Sequence, residues 1–343
     1  MRSLSTRSAS TLVAMALVTA LSSSVAHAQG ATPSRTLCVF DPAGRAGDYF
    51  GLLQRFATAA SAWGVSLTVK PYTDEETASK DYLAGVCDGV AATGIRLQQH
   101  NRFSATLEAI GALPEYSDLQ QMVTTLSTSP AAASKLSNAQ HSVVGVLPIG
   151  AVYLLVRDRS VDSVPELAGK RIATMDYDKA STTMVTRVGA VVVPVDLSTL
   201  APRFNNGDVD ACYVSAPAFQ PFELARGLGA KGGILKAPLA QATMQVMVHP
   251  AQFPSTFAAS ARTWFAEHFN DALALVTRAE QKIPAKYWVT VDTSTQQAWS
   301  TLFQSVRVQV RDAGGYDGSM LSVMRKMRCA KNAARAECAE AKE

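Results

Sequence analysis

From Arg35 the chain alternates short apolar runs with amphipathic stretches, and no other feature restricts its fold as much. TLCVF reads as a strand and DPAGRAGDYF as a turn rich in Pro and Gly. Phe50 to Trp63 places Leu52, Leu53, Phe56, Ala59, Ala60 and Trp63 near helical spacing, and Gly64 ends that helix. VSLTVKPY alternates as a second strand, DEETASKDYLAG forms a helix with an acidic start, and CDGVAAT is a third strand. Strand-helix-strand-helix-strand requires a parallel sheet with right-handed crossovers.

The pattern then restarts. HSVVGVLPIGAVYLLVRDRS reads as two strands, SVPELAGK as a short helical segment, RIATM as a strand and DYDKASTTMVTRVG as a loop plus helix. VVVPV is a strand, LSTLAPRFNNG a helix with a turn, and DACYVSAP another strand. ATMQVMVHP returns toward the first unit. Beyond it the chain is mostly helical: FPSTFAASARTWFAEHFNDALALVTRAEQ up to Ile283-Pro284, then TSTQQAWSTLFQSVRVQVRDAG, then SMLSVMRKMRC. The expected fold class is α/β, with two α/β lobes around a cleft and a helical C-terminal region. Lobe I spans 35–146 with a return strand at about 243–249, and lobe II spans 147–242. Helices at 250–328 pack on the lobes, and 329–343 form a tail. The expected hinges are Leu147 to Val152, which contains Pro148 and Gly150, and the return strand near Met244 to Val248.

Ahead of this core lies an address. Arg2 and Arg7 precede the apolar run Thr11 to Leu21, and small residues lead to Ala26-His27-Ala28. That is the layout of a secretory signal peptide, 1–28, cleaved after Ala28. The apolar run falls well short of the roughly 20 residues needed to span a bilayer. The mature chain is expected to be exported, without stable membrane insertion. The chain's net charge of +4 rests partly on those two arginines; without them, 30 basic residues face 28 acidic ones. So even a balance does not point to nucleic acid.

Export makes the five cysteines informative, because an oxidising compartment favours pairing. Cys329 and Cys338, in RCAKNAARAEC, read as a staple pinning a charged tail to the last helix. Cys38 and Cys87 bridge if their strands are parallel neighbours in similar register. Cys212 is then the spare and reads as a small buried apolar residue. The alternative for the cysteines is a metal site, which would need closely spaced Cys and His; His100, His141, His249 and His268 are scattered.

Motifs for nucleophilic catalysis and phosphate cradling (G-x-S-x-G, S-x-x-K, H-E-x-x-H, the P-loop and G-x-G-x-x-G) do not occur. The carboxylates Asp74-Glu75-Glu76 and Asp176 with Asp178 read as solvated faces or helix caps. Neither an enzymatic activity nor a cofactor is expected. Ligands of open parallel sheets bind beyond the carboxyl ends of the strands. Here those ends carry Asp41, Gly44, Arg45, Asp48 and Tyr49, then Tyr72, then Thr93 and Arg96. In the second unit they carry Asp176, Tyr177 and Lys179, then Tyr213 and Ser215. Arg45 and Arg96 are the candidates for a bidentate carboxylate or phosphate contact. The alternative for each is a local pairing, such as Arg45 with Asp48.

These features together resemble periplasmic solute-binding proteins, especially the substrate-binding subunits of TRAP transporters. VPELAGKRIATM resembles their D-L-x-G-L-K-I-R-V-P segment, and GAVVVPVDLSTLAPRFNNGDVDACYVSAP resembles the stretch from G-A-x-P to G-x-x-D-G. More closely, the chain is similar to the AdeT-type solute-binding proteins. LCVFDPAGRAGDYF, AWGVSLTVKPYTDE, AGVCDGVAATGIR, GALPEY, YLLVRDRSVDSV, GKRIATMDYDKA, FNNGDVD, IPAKYW and the RC…EC tail carry this likeness over nearly all of the chain after Arg35. The resemblance implies a periplasmic-binding-protein type II-like fold. It also implies a periplasmic location and capture of a small polar or anionic solute in the cleft, with a TRAP-type membrane permease as partner. One departure stands out: where the TRAP segment carries its carboxylate-clamping Arg, this chain has Ala173, and Arg171 lies two residues earlier on the same strand face. Lys179, Arg45 or Arg96 then replaces the clamp, or the solute is not a carboxylate. An orphan binding or sensor module without a permease, and an exported enzyme, are the alternatives.

Overall fold

The computed structural model describes residues 34–343; the leader read over 1–28 lies outside them. The first unit runs β1 (Ser34–Phe40), α1 (Asp48–Ala60), β2 (Ser66–Tyr72), α2 (Glu75–Leu83), β3 (Gly89–Thr93). Short helices α3 (Gly94–Leu97), α4 (Arg102–Ala105), α5 (Tyr116–Thr128) and α6 (Pro130–Lys135) follow. The second unit runs β4 (Ser142–Val156), β5 (Arg171–Met175), α7 (Lys179–Arg187), β6 (Val191–Val195), α8 (Leu197–Asn206), β7 (Ala211–Ser215), α9 (Leu224–Leu228), β8 (Gly233–Leu235). Then come β9 (Ala240–Val248), α10 (Phe257–Glu267), α11 (Phe269–Lys282), β10 (Trp288–Val289), α12 (Thr293–Asp312), α13 (Gly318–Lys331) and α14 (Ala336–Ala339).

All ten strands join one sheet, whose main path is β2-β1-β3-β9-β4-β7-β5-β6. β1 pairs parallel with β2 and β3, and β5 pairs parallel with β6 and β7. Strands covered on both faces read as continuous apolar runs, and Leu37, Cys38, Val39 and Val90, Ala91, Ala92 are accordingly buried. β9 pairs antiparallel with both β3 and β4, so the two parallel halves meet through β4 and β9.

β4 corrects the sequence reading. It is one 15-residue strand, not two. Pro148 and Gly150 do not end it; the ladder with β9 shifts register between Pro148 and Gly150 and again between Val143 and Gly145. Such bulges bend a strand while pairing continues. Ser142 faces Val248 at one end and Val152 faces Ala240 at the other. Gly150 has φ +112°, and a Cβ there would lie 3.3 Å from Ser215 and 3.2 Å from Pro217, so the bend depends on glycine. The long helical run after Phe253 differs too: it breaks at His268 into α10 and α11, well before Ile283. Phe265 of α10 packs under β4, where a Cβ on Gly145 would fall 2.1 Å from its ring.

Both expected disulfides are present. Cys38 of β1 bridges Cys87, which sits just ahead of β3 and does not begin it, with Cα atoms 5.9 Å apart. Cys329 and Cys338 join α13 to α14, and Cys212 is free and buried. Two acids of the charged tail, Glu337 and Glu343, are buried. Arg307 and Arg328 each bind both Glu337 and Glu343, and all four side chains are almost inaccessible. Burial alone would raise the Glu337 carboxyl; Arg328 and Arg307 outweigh it and hold the group at about 2. The remaining guanidinium donors reach the carbonyls of Ile110 and Ala112.

Candidate functional site

A cavity of about 410 Å³ opens beyond the carboxyl ends of β1, β3, β5 and β7 and is floored by the crossing strands β4 and β9. This is where an open α/β sheet holds ligands, and the volume lies within the roughly 300–1,000 Å³ of small-molecule sites. Of the residues expected there, Asp41, Asp48, Tyr49, Thr93, Tyr177, Tyr213 and Ser215 line it.

Three carboxylates hold the helix starts on its wall. Asp41 follows β1 and accepts N–H bonds from Ala43 at 2.9 Å, Tyr49 at 3.1 Å and Phe50 at 3.2 Å, which covers the start of α1. Gly47 is required beside it, since a Cβ would fall 1.9 Å from the Asp41 carboxyl carbon. Asp178 caps α7 through the Ser181 amide at 2.9 Å and accepts the Tyr213 hydroxyl at 3.3 Å. Glu108 takes the first amides of α3, from Gly94 at 3.1 Å and Ile95 at 3.0 Å, together with the amide and hydroxyl of Thr243 at 2.7 and 2.6 Å. Burial pushes all three carboxyls upward against these donors, and Glu108 reaches about 7.

A second set joins the two halves of the sheet. Glu75, at the start of α2, is buried and accepts the Thr93 amide at 2.7 Å. Its other oxygen faces Arg96 Nε at 3.5 Å and accepts the Tyr177 hydroxyl at 3.4 Å. The Arg96 guanidinium lies over the Tyr177 ring. Burial, with Glu75 nearby, pushes the Tyr177 hydroxyl well up, so it stays a donor. Tyr49 reaches the bend in β4 and donates to the Pro148 carbonyl at 2.9 Å.

Other expected contacts fall elsewhere. Arg45, Asp176 and Lys179 are exposed and lie outside the lining, and Arg45 forms no ion pair with Asp48 among the described residues. Gly44 is buried in the turn beside Thr73 with φ +58°. Tyr72 turns its hydroxyl to Asp81. Arg96 stands behind the wall, engaged by Glu75 and Tyr177. Nor can Arg171 replace the clamp: it sits at the start of β5, away from the mouth, paired with Asp210 at 2.9 Å. Ala173 is fully buried among Leu200, Phe204 and Cys212.

Several lining residues were not anticipated. Glu108 ends a short helical turn after α4, Tyr316 sits in the bend between α12 and α13, and Gln241 lies near the start of β9; none follows the carboxyl end of a parallel strand. Glu75 was read as a solvated acid or cap. A lone acid amid apolar residues in TLEAIGALP was the one available signal.

A family model described as "Solute-binding protein AdeT 1/2" matches residues 56–343. A curated relative from Acinetobacter baumannii, "Probable solute-binding protein AdeT1", is 36% identical over 301 residues, covering 88% of this chain and 99% of its own. Among solved structures, a TRAP periplasmic solute-binding protein from Desulfovibrio salexigens with bound orotic acid superposes with a TM-score of 0.71. It is 13% identical and covers 88% of this chain and 98% of its own. One from Rhodoferax ferrireducens with bound malonate gives a TM-score of 0.68 at 14% identity, covering 87% and 99%. The fold is therefore of the periplasmic-binding-protein type II-like kind, and the chain belongs to the AdeT 1/2 family of solute-binding proteins.

Proposed function

We propose that this solute-binding protein is an exported receptor that encloses a small organic molecule between two lobes and presents it to a TRAP-type membrane permease. Residues 35–146, with the return strand at about 243–249, act as lobe I, and 147–242 act as lobe II. The helices of 250–328 pack on both, and 329–343 form the stapled tail. The leader, 1–28, is removed after Ala28, and the chain works in the periplasm, where its disulfides persist. Among the described residues no helix is long and apolar enough to cross a membrane, which suits a receptor working beside its permease.

The observation that carries this reading is the cavity itself. Tyr49 and Thr93 line it from one half of the sheet, Tyr177, Tyr213 and Ser215 from the other. The irregular ladder of β4 and β9 beneath supplies the hinge. Solute shifts the population toward the closed form; capture and release need no bond chemistry and no cofactor. The acids held by the solved relatives support a small organic molecule as cargo.

Small-angle scattering and melting of the mature protein, with and without a broad metabolite set, test it. A bound solute raises the melting temperature and reduces the radius of gyration. A set that yields no stabilising compound and no compaction overturns the reading.

A further inference from the structure

We propose that the solute is an organic cation, an amine carrying an apolar body, and that Glu108 and Gln241 receive its ammonium group. This rests on the receptor reading above and assigns the cargo's charge. Among the described residues no Lys, Arg or His lines the cavity, whereas Asp41, Asp48, Glu75, Glu108 and Asp178 do. An anion would need a guanidinium or free amides at helix starts. Both are spent on the protein's own groups. Asp41, Glu108 and Asp178 occupy the starts of α1, α3 and α7, and Arg96 is held by Glu75 and Tyr177.

What the cavity leaves open is acceptor capacity. Gln241 is 1% exposed and lines the cavity, yet its Oε1 has no hydrogen-bond partner. A buried acceptor left without a partner is costly and calls for a donor. Glu108 Oε1 accepts from Gly94 and twice from Thr243, but Oε2 accepts only the Ile95 amide. The tyrosine rings of residues 49, 177, 213 and 316 also line the space, and ring faces attract ammonium groups. Ile95, Ile149, Val152 and Leu239 supply apolar walls for the body. Burial, with the Glu75 carboxylate nearby, holds the Glu108 carboxyl high, and a cationic partner would relieve both.

Matched triples on one skeleton test the assignment by melting shift and calorimetry on the mature protein, for example 3-phenylpropylamine, 3-phenylpropanol and 3-phenylpropionate. Amines are expected to be the stabilising members. Glu108→Gln should weaken an amine at least tenfold, and Gln241→Leu about fivefold, with ligand-free melting confirming that each variant folds. The Gln241 variant decides if the Glu108 variant does not fold. Tighter or equal binding of alcohols or carboxylates overturns the cation assignment and leaves the receptor reading standing. The same holds if amine affinity is unchanged in both variants. If no member of any triple binds, and the broad metabolite set also gives neither stabilisation nor compaction, both fall together.

Discussion

The Arg96 guanidinium lies 3.7 Å from the centre of the Tyr177 ring. Arg96 belongs to α3 beyond β3, and Tyr177 follows β5, so this contact joins the two halves of the sheet behind the cavity wall. Glu75 completes it from α2 by accepting the Tyr177 hydroxyl and facing Arg96. On the receptor reading proposed above, the three residues act as a latch on the closed arrangement.

Removing the latch therefore loosens closure. Cation–π contacts shielded from solvent are worth up to about 2 kcal/mol, so Tyr177→Ala should speed solute dissociation roughly tenfold or more. Stopped-flow release measures it, and Tyr177→Phe should fall between, because it keeps the ring and loses the hydroxyl. An unchanged release rate in the alanine variant would remove the latch from the account.

The histidine cluster sets a second expectation. The His141 ring lies 4.6 Å from His100 and 5.7 Å from His249, and its Nδ1 meets the Tyr82 hydroxyl at 2.7 Å. Burial, then the neighbouring imidazoles, lowers His141 from 6.5 to about 4. A depressed folded value means the unfolded chain binds more protons in that window. The stability held by neutral His141 is thus present above about pH 6.5 and lost as pH falls toward 4. Glu108 titrates with the opposite sign, its contribution being lost as pH rises from 4.5 through about 7. Comparing melting curves of the parent and His141→Gln isolates the histidine: the parent should lose more stability between pH 7 and 5.

The disulfides differ in reach. Cys38–Cys87 closes a separation of 49 residues and Cys329–Cys338 one of 9. Chain entropy assigns them about 4 and about 2.5 kcal/mol respectively. Replacing Cys38 and Cys87 by Ala should lower the melting temperature more than replacing Cys329 and Cys338. Equal losses would mean that native packing, not loop closure, sets the difference.

The tail network should be costly to break. Glu343 shares with Glu337 the neutralisation of Arg307 and Arg328, whose side chains are each 1% exposed. Leaving buried charges uncompensated typically costs about 3–5 kcal/mol. Denaturant unfolding of Glu343→Ala should show a loss of that order. Because Arg307 holds the carbonyl of Ile110, which lines the cavity, and Arg328 that of Ala112 two residues on, solute affinity should fall as well.

Local pattern carried much of this into view. β1, α1, β2 and α2 announce themselves by period and by Gly64 and Asp74 at their boundaries, and the strand-end rule pointed to Asp41, Tyr49 and Tyr177. What failed was decided mostly by distant partners. Pro148 and Gly150 look like a break but form a bulge, because β9 pairs straight past them. Arg45 and Lys179 looked like anion anchors, yet their side of each loop faces water. Glu108 and Gln241 meet at the cavity only because β9 returns between β3 and β4, a pairing no local period encodes. The tail acids look solvated until Arg307 and Arg328 are brought to them.

Crystals of the protein purified from the periplasm without added ligand test the central claim most directly. The account predicts carried-over density for a small organic molecule enclosed by Tyr49, Tyr177 and Tyr213, with the Arg96–Tyr177 contact kept beside it. A solute seated elsewhere on the chain, with that cavity filled by the protein's own side chains, would contradict it.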